Sequence, residues 1–444
     1  MKRKNMIKMS IKKSGALSVL ILLLSILLVF TLSACSDSGS EIIYSKDDLR
    51  ENMAQGVSDS AEYVADCLDE WQFPLFNGSK MLDVEYILEK KFYTELPDLK
   101  TLSERTAEIF LEEYYDTIDL GNRDDVTDAL LYSYVSALDD RYTYYRTAED
   151  YEGYQTGLSG SFVGVGITVT QDAESGYIKV LEVYDDGGAA AAGVAVGDMI
   201  IAVDGQYVSE VGYDTAINAV RGDEGTFVEL TVKRGDEMLV LSAERKPVIQ
   251  KSVTYSITDG IGYIRITAFN ANTDEQVIEA IDAMESANVR GVIYDVRSNG
   301  GGYLTSVENM LDYIAPKGLT LVSFSNDYDD DYVARFEHTF LVPTVVLVNG
   351  HTASAAELFA AGIRDMAAMG LMEATVVGTT TYGKGVMQST YLLSDRSAIT
   401  LTVAYYNPPS AVNYDGVGII PDVTEEVVEE QFNTANAEIQ KLIN

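Results

Sequence analysis

Helical spacing of apolar residues marks the first third of the chain. Between residues 46 and 72, and again between residues 82 and 118, apolar residues recur three or four positions apart, which is the period of a helix. A further helix is predicted from Asp124 to Leu138. We expect Asp124 or Asp125 to be its N-cap, because a short acidic side chain accepts the free amides of a first turn. The pattern thus predicts an N-terminal helical region.

The pattern changes from helices to strands at Gly160. Short runs of β-branched residues follow, separated by turns of Gly and Asp, and a helix from Asp214 to Val220 lies among them. After Pro247 strands alternate with longer helices, and the strand sequences VRGVIYDVR and TVVLVNG are largely apolar. Such strands, separated by helices, are typical of a parallel sheet that is buried on both faces. We therefore expect an α/β region after residue 247.

The strand-rich segment 155–247 resembles a PDZ domain. Its glycine loop, residues 164–167, stands where such domains keep their carboxylate-binding loop, and GVAVGDMIIAVDGQYV resembles another characteristic stretch. A glycine loop alone is more typical of a hairpin turn, but here several features stand in the right order. PDZ domains bind a peptide as an added strand, with backbone amides on its terminal carboxylate. The resemblance implies a site for C-terminal tails formed by Phe162, Val163, Gly164, Val165, Gly166 and Ile167.

The N-terminus has the pattern of a secretory signal. Basic residues are concentrated in the first 13 positions, and an apolar run, ALSVLILLLSILLVFTL, follows at residues 16–32. A run of this length can also just span a bilayer as a retained anchor. The next residues, Leu32-Ser33-Ala34-Cys35, resemble a bacterial lipobox, in which the cysteine is lipidated and becomes the new N-terminus. This resemblance predicts an extracytoplasmic protein that is anchored to the cell membrane through lipid at Cys35.

Composition and charge exclude two classes of function. Hydrophobic residues make up 47% of the chain, which is ample for a packed core. The net charge is −37, and removal of the six basic residues at the N-terminus leaves 26 basic against 69 acidic residues, or −43. A field of this sign repels phosphate backbones, so nucleic-acid binding is excluded. Two Cys and two His cannot build a disulfide framework and leave almost no zinc ligands, so we expect neither a metal nor a cofactor.

Three turns rich in Gly or Ser follow three of the predicted strands, where the active sites of α/β sheets gather. They are VRSNGGG at 296–302, VNGHTASAAELFAAGIRD at 348–365 and GTTTYGKGVMQ at 378–388. With ALDD at 137–140 and GIIPD at 418–422, they resemble the signatures of the C-terminal processing peptidases, also called tail-specific proteases. The resemblance implies a multidomain α/β protein, α+β overall, with a crotonase-like catalytic core, an inserted PDZ-like domain and an N-terminal helical region.

The same resemblance assigns the catalytic residues. Ser354 matches the family nucleophile, although serine is also a common N-cap residue and Thr352 stands close by. Lys384, between two glycines, matches the general base, and a desolvated lysine can lose its proton near neutral pH. Gln388 matches the residue that orients this lysine. Its four-residue spacing fits a helical turn or a strand equally well.

Backbone amides are expected to stabilise the oxyanion. By resemblance the donors are Ala355 and one residue of the Gly301-Gly302 turn. The family turn usually has a proline where this chain has Gly300, so we expect a looser turn. Asp365 matches a family acid, and we expect it to make a structural contact near the end of its helix.

Other motifs are weaker. GTTTYGKG resembles a phosphate-binding loop, but Gly385 stands where the Mg²⁺-binding hydroxyl belongs. His351 precedes Ser354 on the turn and does not suit a Ser-His triad, and His338 is the remaining histidine. The acidic run NDYDDD at 326–331 lacks the Gly and the distal Glu of a calcium loop, so a solvated surface loop is the better interpretation.

The sequence thus predicts a lipid-anchored serine endopeptidase that acts on protein or peptide substrates through their C-terminal tails, and it leaves the oligomeric state open. The predicted segments are a signal peptide (1–34), a tether and helix (35–79), a helical region (80–154), a PDZ-like domain (155–247), a catalytic domain (248–430) and a C-terminal helix (431–444). Two alternatives stay open. In an inactive PDZ adaptor we would expect Ser354, Lys384 or Gln388 to have been lost, and all three are present. A cell-surface carbohydrate-binding protein could use the 29 tyrosines to bind sugars.

Overall fold

A computed structural model of the chain describes residues 78–325 and 331–444. The predicted signal segment, Cys35 and the helical pattern between residues 46 and 72 lie outside the described residues, as do residues 326–330 of the acidic run. Within the described residues, no helix is long and apolar enough to cross a membrane.

Helices precede strands in the N-terminal half, as predicted. In chain order the elements are α1 (Gly78–Lys91), α2 (Leu99–Ile109), a π-helical turn (Phe110–Tyr114), α3 (Arg123–Ser136), β1 (Tyr144–Arg146), α4 (Ala148–Ser159), β2 (Ser161–Gly164), β3 (Ile167–Gln171), β4 (Ile178–Val183), α5 (Gly188–Ala192), β5 (Met199–Val203), β6 (Gln206–Tyr207), α6 (Val208–Val211), α7 (Tyr213–Val220), β7 (Phe227–Arg234), β8 (Glu237–Glu244) and β9 (Lys246–Ile249).

Strands and helices alternate in the C-terminal half. The elements are β10 (Val253–Thr258), β11 (Ile261–Ile266), α8 (Thr273–Ser286), β12 (Gly291–Asp295), α9 (Leu304–Ile314), β13 (Thr320–Phe324), β14 (Tyr332–Val333), β15 (Thr344–Val348), α10 (Ala355–Ala368), β16 (Ala374–Gly378), β17 (Val386–Leu392), β18 (Ala398–Asn407), β19 (Val423–Thr424) and α11 (Val428–Leu442).

Contacts divide the described residues into two units. The first takes in the described residues of the ranges 1–153, 324–330 and 386–406, and the second those of 154–323, 331–385 and 407–444. In the first unit β1 and β17 both pair antiparallel with β18. Buried residues of α3, such as Leu131 and Val135, pack in one cluster with Ile399 and Leu401 of β18. Burial of these side chains provides the main stabilisation of this unit.

The N-cap of α3 differs from the prediction. Asn122 caps the helix, and its Oδ1 accepts the amide of Asp124 at 3.0 Å, while Asp124 and Asp125 lie in the first turn. The prediction was wrong by two or three residues because the caps and the first turn both favour short acidic side chains: a carboxylate there stabilises the positive end of the helix dipole.

The second unit contains a largely parallel sheet, as the apolar strands predicted. Its order is β10-β11-β12-β15-β16-β19, and all pairs except β10–β11 are parallel. Ile439 of α11 packs with Ile293 of β12 on one face, and Phe359 of α10 contacts Tyr294 of β12 on the other, with ring centroids 5.1 Å apart. Helices thus cover both faces of the sheet, which explains why β12 and β15 are buried along their whole length.

The same unit contains a second, antiparallel sheet in the segment 155–247. Its strand order is β3-β4-β5-β7-β8, so β3 is an edge strand, and β2 pairs with β9. Its core consists of alternating inward residues, including Ile178, Val180, Val228 and Leu230. This alternation is the pattern of a sheet with one face buried.

Candidate active site

Ser354 lies at the turn between β15 and α10, as predicted. It is the N-cap residue of α10, and its backbone has φ 56° and ψ −122°. A positive φ is unfavourable for a residue with a Cβ, so surrounding contacts have to hold it. Strained strand-to-helix turns of this kind present the hydroxyl of a catalytic serine at a helix N-terminus.

Thr352, the nearest competitor for the nucleophile, is part of the turn itself. Its side chain is completely buried, and its hydroxyl donates to the carbonyl of Val296 at 2.9 Å. The same hydroxyl accepts the amide of Asn349 at 3.0 Å. A hydroxyl that is buried and bonded in this way is held as a structural tie, which favours Ser354 over Thr352.

Glu357 joins the serine turn to the loop that carries Lys384. Its side chain is completely buried. Oε2 accepts the amide of Ser354 at 2.8 Å and the amide of Lys384 at 2.8 Å. Oε1 accepts the amide of Gly383 at 2.7 Å and the hydroxyl of Thr381. Hydrogen bonds to an ionised acceptor are among the stronger ones in proteins, so this carboxylate fixes the two chain segments against each other.

The loop around Lys384 is also held from a second direction, by residues 413–416. Asn413 donates to the carbonyl of Gly385 at 2.9 Å, and Asp415 accepts the amide of Gly385 at 3.0 Å. The amide of Gly416 donates to the carbonyl of Gly383 at 2.9 Å. Both glycines flanking Lys384 are therefore bonded through their backbones, and the half-buried lysine stands on a fixed loop.

Both glycines of the 301–302 turn are required by close contacts. Gly301 has φ 100°, and a Cβ on it would lie 2.8 Å from Cβ of Ser354. Gly302 has φ 143°, and a Cβ on it would lie 2.1 Å from the carbonyl oxygen of Phe269. The backbone of the turn thus lies directly against Ser354, and only glycine, which has no side chain, allows this close contact.

Asn299 holds this glycine turn in place. It is completely buried, and its Oδ1 accepts the amide of Gly301 at 2.9 Å while its Nδ2 donates to the carbonyl of Ile266 at 3.1 Å. Its own carbonyl accepts the amide of Ala353 at 2.9 Å. The sequence predicted a looser turn because of Gly300, but here a side chain two residues before Gly301 supplies the restraint.

Asp295, at the end of β12, anchors the start of the glycine turn. Its side chain is 1% exposed and forms ion pairs with Arg265 at 2.5 Å and Arg297 at 2.6 Å. Burial by itself would raise the pKa of Asp295, but hydrogen bonds from Arg297 and the charges of both arginines outweigh it, so the pKa lies below its ordinary value. Burial and the nearby Asp295 also raise the pKa of Tyr263, which donates to this carboxylate, to about 12.

Two parts of the chain match known protein families. Residues 260–425 match the sequence model of peptidase family S41, and residues 155–233 match that of the PDZ domain. The carboxy-terminal-processing protease of Bartonella bacilliformis is 34% identical over 65% of this chain and 67% of that protein. The carboxy-terminal processing protease CtpA of Bacillus subtilis is 32% identical over 71% of this chain and 66% of that protein.

The chain belongs to peptidase family S41. It is a serine peptidase of the C-terminal processing type, and it carries a PDZ domain. A solved structure named as a photosystem II D1 C-terminal processing protease is similar over 82% of this chain and 97% of that chain, at 26% identity and a TM-score of 0.47. The S41 match spans all three turns, and the PDZ match spans the glycine loop at 164–167.

The glycine loop of the PDZ domain leaves backbone amides for a ligand. The carbonyl of Val165 accepts the amide of Ala189 at 2.7 Å, and the carbonyl of Gly166 accepts the amide of Tyr184 at 3.0 Å. Among the described residues, the amides of Val165 and Gly166 have no such partner. A loop whose carbonyls are held in place and whose amides are not hydrogen-bonded can bind a carboxylate.

Edge strand β3 and helix α7 both contribute apolar residues to the PDZ core. Ile167 and Val169 of β3 and Tyr213 and Ile217 of α7 are partly buried apolar residues that pack against the PDZ core. Phe162 and Val163 pair with Val248 and Pro247 in the β2–β9 ribbon. The free edge of β3 can accept a peptide as an added strand.

Gln388 lies in the first unit, whereas Ser354 and Lys384 lie in the second. It stands on strand β17, so its four-residue spacing from Lys384 does not reflect a helical turn. Its Nε2 lies 3.4 Å from the carbonyl of Val386 and 3.4 Å from the hydroxyl of Thr402.

The two histidines make contacts that do not involve Ser354. His351 is exposed, and its backbone amide donates to Asn349. The ring of His338 stacks on that of Tyr313 at 3.8 Å, and its Nε2 lies 3.2 Å from Glu285. These contacts agree with the interpretation of the site without a Ser-His triad. Asp365 accepts the amide of Ser410 at 3.0 Å, the structural contact that was predicted for it.

Sequence analysis missed Glu357, Asn299 and Asp295. Glu357 stands three residues after Ser354, and a serine followed by Glu at this spacing is the signature of a capping box, so its bond to the Ser354 amide could have been predicted. Its bonds to residues 381–384 depend on how two loops meet in space. Asn299 and Asp295 had no local signal beyond their place after a strand.

Proposed function

We propose that the protein is an extracytoplasmic serine endopeptidase in which Ser354 is the nucleophile, Lys384 the general base and Gln388 a supporting residue. The observation that carries the proposal is the buried carboxylate of Glu357, which accepts the backbone amides of both Ser354 and Lys384 at 2.8 Å. A single acceptor that bonds to both residues holds the serine turn and the lysine loop in one arrangement. Both residues also lie within the range 260–425 that matches the sequence model of family S41.

In this proposal the neutral amine of Lys384 accepts the proton of the Ser354 hydroxyl while Oγ attacks the carbonyl carbon of the scissile peptide bond. Lys384 then gives that proton to the leaving amine, and an acyl-enzyme on Ser354 remains. The same amine then takes a proton from water, which attacks the acyl carbon. As the bond to Oγ breaks, the amine returns the proton to Oγ of Ser354 and the acyl group leaves as a carboxylic acid.

The oxyanion is stabilised by the backbone amide of Ala355 and by the glycine turn. Contact between Gly301 and Ser354 supports this role, since a Cβ on Gly301 would meet Cβ of Ser354 at 2.8 Å. The amide of Gly301 already donates to Asn299. Of the two glycines we therefore propose Gly302 as the second donor.

The PDZ domain recognises the C-terminal tail of the substrate. Its support is the loop at residues 162–167, in which the amides of Val165 and Gly166 are available beside the edge strand β3. A substrate tail would add to β3 as a strand and place its carboxylate on these amides.

The protein is held at the outer face of the cell membrane by lipid on Cys35. The support is the sequence Leu32-Ser33-Ala34-Cys35 after a basic and apolar leader. Mass spectrometry of the membrane fraction should find a mature chain that begins at lipidated Cys35. An unmodified, internal Cys35 in the membrane-bound protein would contradict this location.

A cleavage assay on an unfolded protein with a free C-terminus tests the catalytic assignment. Ser354→Ala, Lys384→Ala and Lys384→Arg should each abolish cleavage while circular dichroism shows an intact fold, since arginine stays charged and cannot act as a base. Lys251→Ala, at an exposed lysine, is the matched control and should cleave normally. Substantial cleavage by a folded Lys384→Arg protein would show that another group is the base.

A further inference from the structure

Thr402 is a buried threonine that faces Gln388 across the β17–β18 pair. The two residues are partners in the strand register, next to a bulge between Met387 and Gln388. The Thr402 side chain is completely buried, and its hydroxyl donates to Oδ2 of Asp140 at 2.6 Å. Thr143 supports this contact, since its hydroxyl donates to the same Oδ2 and accepts the amide of Thr402 at 3.1 Å.

These contacts fix the direction of the Thr402 hydroxyl. A carboxylate only accepts hydrogen bonds, so the hydroxyl proton points to Asp140 and the Thr402 oxygen is an acceptor towards Gln388. The carbonyl oxygen of Val386, also an acceptor, lies at the same distance of 3.4 Å from Nε2 of Gln388. With two acceptors at one end of the amide, the NH₂ group must face them, because the flipped amide would bring three oxygens together.

The orientation of this amide decides what Gln388 can do for a lysine. With NH₂ turned to Thr402, the carbonyl oxygen Oε1 is the end left to accept an N–H of an amine. The flipped amide would instead donate to the lone pair of the amine. That lone pair is the one that must take the proton of the nucleophile, so a flipped Gln388 would oppose a lysine base.

We propose that Asp140 and Thr402 are positioning residues that set the amide of Gln388 with its carbonyl oxygen available to Lys384. This inference rests on the proposed Ser354, Lys384 and Gln388 function. It assigns a role to the ALDD stretch at 137–140, which precedes the PDZ domain in sequence. Asp140 of this stretch is 262 residues away from Thr402 along the chain. The bulge beside Gln388 fits such a role, since bulges redirect side chains near active sites.

The test uses the full-length protein with Thr402→Val, which keeps the shape of the side chain and removes the hydroxyl. We expect kcat to fall by the same factor as in Gln388→Ala, on the order of 10-fold, with KM unchanged. Thr402→Ser should restore most of the activity. The double variant Thr402→Val/Gln388→Ala should be no slower than Gln388→Ala alone, because both changes remove the same interaction.

Thr400→Val is the matched control. Thr400 lies on the same strand and is 2% exposed, but its hydroxyl contacts Thr390 and Arg146 at 2.9 Å each. Its kcat should stay normal. Equal losses in Thr400→Val and Thr402→Val, or additive losses in the double variant, would overturn the inference, because the threonines would then act only through the stability of the sheet.

Asp140→Asn provides a second route if Thr402→Val does not fold. An asparagine can donate to Thr402 and reverse its hydroxyl, so kcat should fall, and the pH profile of kcat should shift in the same direction as in Gln388→Ala. An unchanged kcat in folded Asp140→Asn would overturn the inference. These outcomes distinguish this inference from the proposed function. Cleavage by the Lys384→Arg protein would contradict the proposed function. An inactive Lys384→Arg protein, together with a normal kcat for Thr402→Val, would contradict only this inference.

Discussion

One oxygen of Glu357 lies 2.8 Å from the amide nitrogen of Lys384 and accepts the amide of Ser354 at the same distance. Its other oxygen accepts the amide of Gly383 and the hydroxyl of Thr381. The serine turn and the lysine loop are separated by about 30 residues of sequence, including a helix and a strand. A buried carboxylate with four donors therefore links the two segments, beside the backbone hydrogen bond that the amide of Tyr382 donates to the carbonyl of Thr352 at 3.0 Å.

Replacement of Glu357 by glutamine should lower both activity and stability. Glutamine offers one carbonyl oxygen, so its NH₂ group would face two of the four donors and push the loops apart. Because a displacement of about 1 Å can cost about 100-fold in rate, we expect kcat to fall by roughly that factor. Two unpaired buried donors should also cost about 2–4 kcal/mol of unfolding free energy. Cleavage kinetics and urea unfolding measure both effects.

Glu373→Gln, at an exposed glutamate just beyond α10, is the control and should change neither quantity. A folded Glu357→Gln protein with normal kcat would mean that the carboxylate is not needed to hold Ser354 and Lys384 in place.

The buried carboxylate of Asp295 should make stability depend on pH in the acid range. Its pKa in the folded protein is lowered from an ordinary value of 3.8, so the stabilisation is complete above that value and is lost as the pH falls through the folded pKa. Asp295→Asn should remove this dependence and leave Arg265 and Arg297 without their partner. Breaking a buried ion pair in this way costs about 3–5 kcal/mol.

Urea unfolding at pH 7, 5 and 3 measures the effect, with exposed Asp186→Asn as the control. The difference between the native protein and Asp295→Asn should be largest at pH 7 and should shrink towards pH 3. A difference that is constant across this range would show that Asp295 acts through packing and not through its charge.

Local patterns were sufficient to predict several of the elements around Ser354. The apolar run at β15 followed by a serine predicted the strand, the turn and helix α10. These features depend on hydrophobic period and on φ angles, which neighbouring residues determine.

Long-range contacts could not be predicted in this way. The spacing of Lys384 and Gln388 suited a helix as well as a strand, and only the pairing of β17 with β18 distinguishes them. The N-cap of α3 is Asn122 and not Asp124 or Asp125, because several short polar residues stand together there and each is a suitable cap. The contact of Asp140 with Thr402 depends on how chain segments meet after folding, and no local pattern contains that information.

Recognition of C-terminal tails by the PDZ domain should depend on the terminal carboxylate. A substrate peptide with an amidated C-terminus lacks the charge that the amides of Val165 and Gly166 would bind, so it should bind more weakly than the free acid by about 1–3 kcal/mol, or roughly 5- to 150-fold in Kd. Calorimetry with the inactive Ser354→Ala protein measures the binding of both peptides without cleavage.

Gly166→Ala should abolish the preference for the free acid, because a Cβ there would lie 2.7 Å from Cα of Gly187 and displace the loop. Gly176→Ala is the matched control, since Gly176 also has a positive φ, 72° against 79°, but lies on the β3–β4 turn with ample space. Equal affinity of the native PDZ loop for free and amidated peptides would mean that the domain does not read the carboxylate.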